Sequence, residues 1–179
     1  MNNDLRIDLK LNPGYEDQGA TAAVALLLSF DPVLEILLVE RVRSPKDPWS
    51  GHMAFPGGKY SPHDKTLKDT LVREVAEEVG IKVEDHQILG ALQPFISPPR
   101  PDMKILPFVV RLEAKPHIIL NTRELQSFVW VSVNRLPQCK GKAQTPFGEF
   151  PAYTIGEYVV WGLTYRILSH FLTVLHTSG

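Results

Sequence analysis

The feature that most constrains this chain is a helix with both ends written into residues 66–80. Thr66 can cap the start, Asp69 stands three residues on where the reciprocal partner of a cap belongs, and Gly80 occupies the terminating position. Leu71, Val75 and Val79 make an apolar stripe that commits one face to packing against another layer. Beside it, Glu74, Glu77 and Glu78 fall within an arc of roughly 100° on a helix turning 3.6 residues per turn. Three carboxylates on one face repel one another, and each like-charge i,i+4 pair destabilises a helix by about 0.2–0.5 kcal/mol. A solvated acidic surface is the bland explanation of such a run. A divalent cation is the sharper one, because Mg²⁺ prefers carboxylate oxygens completed by water and substrate phosphates. The Gly57-Gly58 turn, fifteen residues before Arg73, favours the second: glycines let backbone groups approach a ligand closely, and the loop would return beside the acidic face.

The remaining pattern predicts a mixed α/β domain. Residues 21–30 and 34–40 are β-branched and Leu-rich runs around Asp31-Pro32, which reads as strand–turn–strand. A loop rich in Pro, Gly and Ser follows at 44–63, and further strands are expected at 88–92, 105–112 and 128–133. Pro94, Pro98, Pro99, Pro101 and Pro107 predict a stiff surface loop, neither helix nor central strand. Residues 158–175 are apolar enough to suggest a membrane span, but Arg166 and His170 interrupt them. Val160, Leu163, Ile167, Phe171 and Leu175 recur at helical spacing, so an amphipathic core helix is expected instead. At 179 residues, one domain over 1–179 is the economical expectation.

Composition narrows the function classes. Nineteen Lys and Arg against twenty Asp and Glu leave a formal charge of −1, unlike the basic footprint of a nucleic-acid binder. No apolar run of secretory type opens the sequence, and the lone Cys139 suits a reducing, cytoplasmic setting. The balance conceals a segregation: residues 41–73 carry seven bases and three acids, while 74–85 carry five acids and one base. That is an acidic block suited to metal beside a basic one that could meet phosphate. The six histidines lack HExxH spacing, one cysteine cannot build a thiolate zinc site, and Gly57-Gly58-Lys59 lacks P-loop spacing, so neither a zinc enzyme nor a nucleotide-powered motor is supported.

Arg73, Glu74, Val75, Glu77, Glu78, Gly80 and Ile81 match the second half of the Nudix box, G-x5-E-x7-R-E-U-x-E-E-x-G-U with U aliphatic, and the chain resembles that family. Counting from Gly58, Asp64 replaces the first glutamate and the step to Arg73 is one residue longer. The same expansion, with Phe55-Pro56-Gly57-Gly58-Lys59, is similar to the coenzyme A pyrophosphatase branch. The resemblance implies an α/β/α sandwich with a mixed curved sheet, and Mg²⁺- or Mn²⁺-dependent hydrolysis of a nucleoside diphosphate linked to another moiety. It implies Glu74, Glu78 and the Gly57 carbonyl as metal ligands, Glu77 as a further ligand or general base, and Arg73 with Asp64 as a structural ion pair. Glu124, before the strand holding Trp130, stands where some relatives supply an acid; a surface glutamate is the equal alternative. Gly58 and Gly80 complete the motif, and a homodimer is among the assemblies the resemblance allows.

Upstream, Arg41 and Arg43 alternate at strand spacing, predicting one shared face, and guanidinium groups suit phosphate oxygens. Trp49 could stack on a base or pack as a lid. The coenzyme A branch carries Arg-Ser-x-x-Leu-Arg before its glycine loop; here Arg43-Ser44 remains, Leu-Arg is missing, and the spacing is one residue short. Trp161-Gly162-Leu163-Thr164 is similar to that branch near its C-terminus. Coenzyme A is therefore the first expected substrate, with ADP-ribose-like conjugates next. A Nudix-fold module that binds a nucleotide without cleaving it is the competing class.

Overall fold

The structure is a computed structural model that describes residues 19–44, 50–97 and 100–176. Its centre is strand β1 (Ala22–Ser29), followed by β2 (Glu35–Arg41), β3 (Met53–Ala54), β4 (Gly57–Lys59), helix α1 (Leu67–Val79), β5 (Ile88–Ala91), β6 (Phe95–Ser97), β7 (Arg100–Leu112) and β8 (Leu125–Ser132). These eight strands form one sheet, in which β1 runs parallel to β7 and the other pairings are antiparallel. A separate antiparallel sheet joins β9 (Lys140–Thr145), β10 (Gly148–Ile155) and β11 (Tyr158–Trp161), and α2 (Gly162–His176) follows.

β1 reads as an unbroken apolar run because it is covered on both faces. Ala23, Ala25 and Leu27 pack with Leu71, Val75 and Val79 of α1, while Leu26 and Leu28 join Ile167, Leu168 and Phe171 of α2. The residues of β2 divide the same way: Leu37 and Val39 face α1, Ile36 and Leu38 face α2. This two-faced layering gives the expected α/β/α sandwich around a mixed sheet.

One irregularity makes room for the site. Along a single edge of β1, Ala22–Val24 pair with β4, whereas Leu28 and Ser29 pair with β2. The segment 53–59 is wedged between β1 and β2, pairing with β2 through β3 and with β1 through β4, and the Ala25 N–H donates to Pro56 O at 2.8 Å. The wedge lies beside α1, on which β4 packs.

Two sequence expectations about the fold need correction, and one sheet carried no expectation. The proline-rich stretch is not a loop throughout: β6 lies in it, and β7 starts at Arg100 and runs through Pro101 and Pro107 between two neighbours. Pro107 is tolerated because its carbonyl accepts from the Leu92 N–H at 2.8 Å. Its own nitrogen therefore faces the same side, opposite the break between β5 and β6, where no ladder bond is lost. The final helix begins at Gly162, and Tyr158–Trp161 is strand β11; a short apolar run does not by itself separate the two. The small three-stranded sheet was not foreseen, since Lys140–Thr145 and Gly148–Ile155 lack an apolar alternation.

Candidate active site

α1 is delimited as its sequence requires. Thr66 Oγ1 accepts from the Asp69 N–H at 3.2 Å, and Asp69 Oδ2 accepts from the Thr66 N–H at 2.8 Å. Gly80 closes the helix in the left-handed region (φ 71°), with its N–H on Ala76 O. The last carbonyls of α1 are then claimed from outside: Ile119 N–H donates to Val79 O at 3.0 Å and Asn121 N–H to Glu78 O at 2.9 Å. That docking fixes the turn entering β8, where Asn121 Nδ2 donates to Glu124 Oε1 at 3.0 Å. Asn121 carried no motif; its role arises from satisfying helix-end carbonyls.

Glu78 is 3% exposed, and its Oε2 accepts from the Gly57 N–H at 2.8 Å. Burial pushes this carboxyl up to about 7, and the Gly57 hydrogen bond opposes that. The charges of Glu74 and Glu124 raise it further, while that of Arg41 lowers it. Glu74, Glu78, Arg41, Glu124 and the Gly57 backbone thus share one electrostatic neighbourhood. Glu74 is also held above its usual value, first by burial. Gly58 lies so close that an added Cβ would sit 2.4 Å from Glu74 Cδ.

Arg73 ties this cluster to the loop. Its Nε and Nη2 grip Asp64 at 3.0 and 2.9 Å, Nη1 reaches Glu74 at 2.7 Å and Glu77 at 3.3 Å, and Nη2 donates to Lys59 O at 3.3 Å. Asp64 Oδ2 also accepts from Ser61 N–H and Thr70 Oγ1, each at 2.9 Å. Hydrogen bonding to Arg73 holds the Asp64 carboxyl well below its usual value of 3.8, against the opposing effect of burial. A group so depressed contributes stability that is fully present above its unfolded value and is lost as pH falls towards the folded one. Asp64→Asn should destabilise the fold at neutral pH by about 3 kcal/mol, the low end for breaking a buried pair, because Arg73 keeps 30% side-chain exposure. The deficit should shrink below about pH 4; urea unfolding at pH 7 and at pH 3 measures both, and an equal deficit at the two would contradict the assignment.

The structure distributes the other sequence-chosen residues unevenly. Arg41 ends β2 next to a register shift after Glu40, and its N–H donates to His52 O at 3.1 Å. Arg43 lies beyond the end of β2, so strand alternation does not put it on the face of Arg41; it leans on Gly51 instead. Trp49 lies outside the described residues. Trp161 and Thr164, noted in sequence only as a resemblance, are found against the glycine loop's approach: Trp161 meets His52 edge-on at 4.7 Å, and Thr164 Oγ1 donates to Met53 O at 2.9 Å.

Among the described residues, no three His, Cys, Asp or Glu side chains are gathered as a ready metal cluster. The donor chemistry nevertheless fits a hard divalent cation: oxygen ligands only, one of them a buried carboxyl whose charge is disfavoured where it stands.

Residues 19–151 match the NUDIX domain family. The chain is 29% identical over 178 residues to NudL of Photorhabdus laumondii, described as an uncharacterized Nudix hydrolase; the match covers 91% of this chain and 90% of that one. It is 31% identical over 134 residues to the mitochondrial coenzyme A diphosphatase NUDT8 of Mus musculus, covering 70% of this chain and 63% of the mouse protein. The Nudix domain of Shewanella oneidensis NrtR, solved with ADP-ribose, superimposes with a TM-score of 0.59 over 87% of this chain and 88% of that one, at 14% identity, a likeness of fold. The chain belongs to the Nudix hydrolase family.

Proposed function

We propose that this chain, as one domain over 1–179, cleaves the diphosphate linkage of a nucleoside diphosphate joined to a second moiety, and that coenzyme A is its first substrate. The observation carrying the reaction is the buried Glu78, anchored on the Gly57 N–H, with Glu74 on the same helix face against Gly58. Glu74, Glu78 and the Gly57 carbonyl would hold Mg²⁺ or Mn²⁺, with Glu77 as a further ligand. A cation bound there supplies charge neutralisation of the diphosphate and a more acidic water. Arg41 adds positive charge beside the same carboxylates, where phosphate oxygens would lie.

Hydrolysis adds water across the anhydride: the water oxygen bonds to one phosphorus, the bridging P–O bond breaks, and its electron pair leaves with the other phosphate. From coenzyme A this gives two products, each with a newly formed phosphate monoester, one on an adenosine that keeps its 3′-phosphate and one on pantetheine. The water's proton needs a base, and Glu124 suits the task better than Glu77. Glu77 is engaged by Arg73 Nη1 at 3.3 Å, whereas Glu124, held by Asn121 Nδ2 at 3.0 Å, lies close enough for its charge to act on both Glu74 and Glu78.

The coenzyme A assignment is supported by the mouse relative's description, by the Phe55-Pro56-Gly57-Gly58-Lys59 loop and by Trp161-Gly162-Leu163-Thr164. The absent Leu-Arg element keeps an ADP-ribose-type conjugate as the second reading, Arg43 and Trp49 then serving the variable half of the substrate. The single Cys139 supports a cytoplasmic setting and the near-neutral charge a small-molecule partner, not nucleic acid; no described helix is long and apolar enough to cross a membrane. The deciding experiment is product chromatography with Mg²⁺ over coenzyme A, ADP-ribose, NADH, diadenosine polyphosphates, nucleotide sugars and oxidised dNTPs. Coenzyme A should give its two products fastest. Tight binding of one compound with none cleaved would overturn the enzyme in favour of a sensor.

A further inference from the structure

The glycine loop is held from four sides, and one holder comes from the far end of the chain. Within residues 52–58, His52 O accepts from Arg41 N–H on β2, Pro56 O from Ala25 N–H on β1, and the Gly57 N–H donates to Glu78 on α1. The fourth holder is Thr164, 111 residues downstream of Met53, whose hydroxyl donates to Met53 O at 2.9 Å. The geometry of β3 explains why that bond is needed. His52 O points to β2, so by alternation Met53 O points away from it, to an edge that β2 does not cover. Thr164 satisfies that carbonyl. Gly162, at φ 63°, lets β11 turn straight into α2 and brings Thr164 to this edge, while Trp161 on the same turn packs against His52. Arg166, half a turn further on, reaches Ile96 O at 3.0 Å, so the start of α2 grips the sheet at two points.

We infer that Thr164 is a positioning residue for hydrolysis: through Met53 it fixes the 52–58 segment, and so the Gly57 and Gly58 backbone against Glu78 and Glu74. Only the activity arm of its test rests on the proposed function.

The test uses Thr164→Val, which keeps the shape and removes the donor, and Thr164→Ser, which keeps the donor. With whichever substrate the product screen identifies, Thr164→Val should lower kcat about 10–100-fold, as slight misplacement of a reacting constellation does. Its KM should move less than about threefold, since the bond acts on chemistry more than on uniform binding. Thr164→Ser should return kcat to within about threefold of wild type. In the metal-free protein, exchange of the Gly57 amide hydrogen should speed up about tenfold or more in Thr164→Val and not in Thr164→Ser, reporting local opening. An unchanged kcat in Thr164→Val, an unchanged Gly57 exchange rate, or a serine variant as impaired as the valine one overturns the inference. If no substrate is cleaved, the proposed function fails by itself and the exchange comparison still decides the role of Thr164. Should Thr164→Val not fold, Thr164→Ala removes the donor without adding a contact and is read in the same way.

Discussion

Glu78→Gln should lower kcat by about 10²–10⁴-fold, the loss that follows removal of a positioned charge or acid–base group. The same variant should be at least as stable as wild type when metal is chelated at pH 8. Both expectations come from one carboxyl. Glu78 is buried, and its pKa is raised from 4.5 to about 7 chiefly by desolvation. An acid whose folded value lies above its unfolded value weakens the fold as pH rises between the two, because the unfolded chain ionises first. Below about pH 4.5 the penalty is absent, and above about pH 7 it is complete. Glutamine keeps the acceptor for the Gly57 N–H and removes the charge, so its advantage in thermal midpoint should appear at pH 8 and vanish at pH 4.5. A cation restores the use of that charge in wild type alone: adding Mn²⁺ should stabilise wild type more than Glu78→Gln. Turnover near wild type in Glu78→Gln would sink the assignment of the metal face, and a variant less stable at pH 8 would refute the burial argument.

What could be read in the sequence was whatever depends on local chemistry. The limits of α1, its apolar stripe and its acidic face follow from residues within one turn or one cap of each other, and Thr66, Asp69 and Gly80 behave accordingly. Asp64 and Arg73, nine residues apart, were legible only as a pair within a motif, since nothing in their spacing dictates a bidentate contact. The wedge at 53–59 was not legible. It depends on β1 exchanging one neighbour for another along the same edge, a property of the assembled sheet. Pro107 misled for a related reason: a missing N–H excludes a central strand only where a ladder partner stands opposite, and here the neighbouring strands are interrupted. Asn121, through its main-chain N–H, and Thr164, through its hydroxyl, act on backbone groups 43 and 111 residues away, on Glu78 O and Met53 O, and contacts made across such separations leave no periodic trace.

The two adjacent glycines of the loop should fail in opposite ways when each is replaced by alanine. At Gly57 the backbone has φ +148°, and an added Cβ would meet Ala23 O at 2.2 Å and Val24 Cα at 2.6 Å. Both atoms belong to β1, the central strand buried between two helix layers, and neither can give way without shifting the sheet. Gly57→Ala should therefore cost more than about 3 kcal/mol and yield little folded protein, beyond ordinary overpacking. At Gly58 the obstruction is the carboxylate of Glu74, with Oε1 at 2.5 Å and Oε2 at 2.6 Å. A side-chain terminus can swing aside, so Gly58→Ala should fold with a thermal midpoint within a few degrees of wild type, a shift of about 1 kcal/mol or less. The displaced carboxylate is one of the proposed metal ligands, and its loss from the loop should weaken Mn²⁺ binding by about 10–100-fold, the scale seen when groups that orient a ligand are removed. Urea unfolding and Mn²⁺ titration of the two variants separate the cases. Equal stability of Gly57→Ala and Gly58→Ala would mean that the loop does not lie against β1, and undiminished Mn²⁺ affinity in Gly58→Ala would remove Glu74 from the metal site. The first glycine is there for the sheet and the second for the carboxylate.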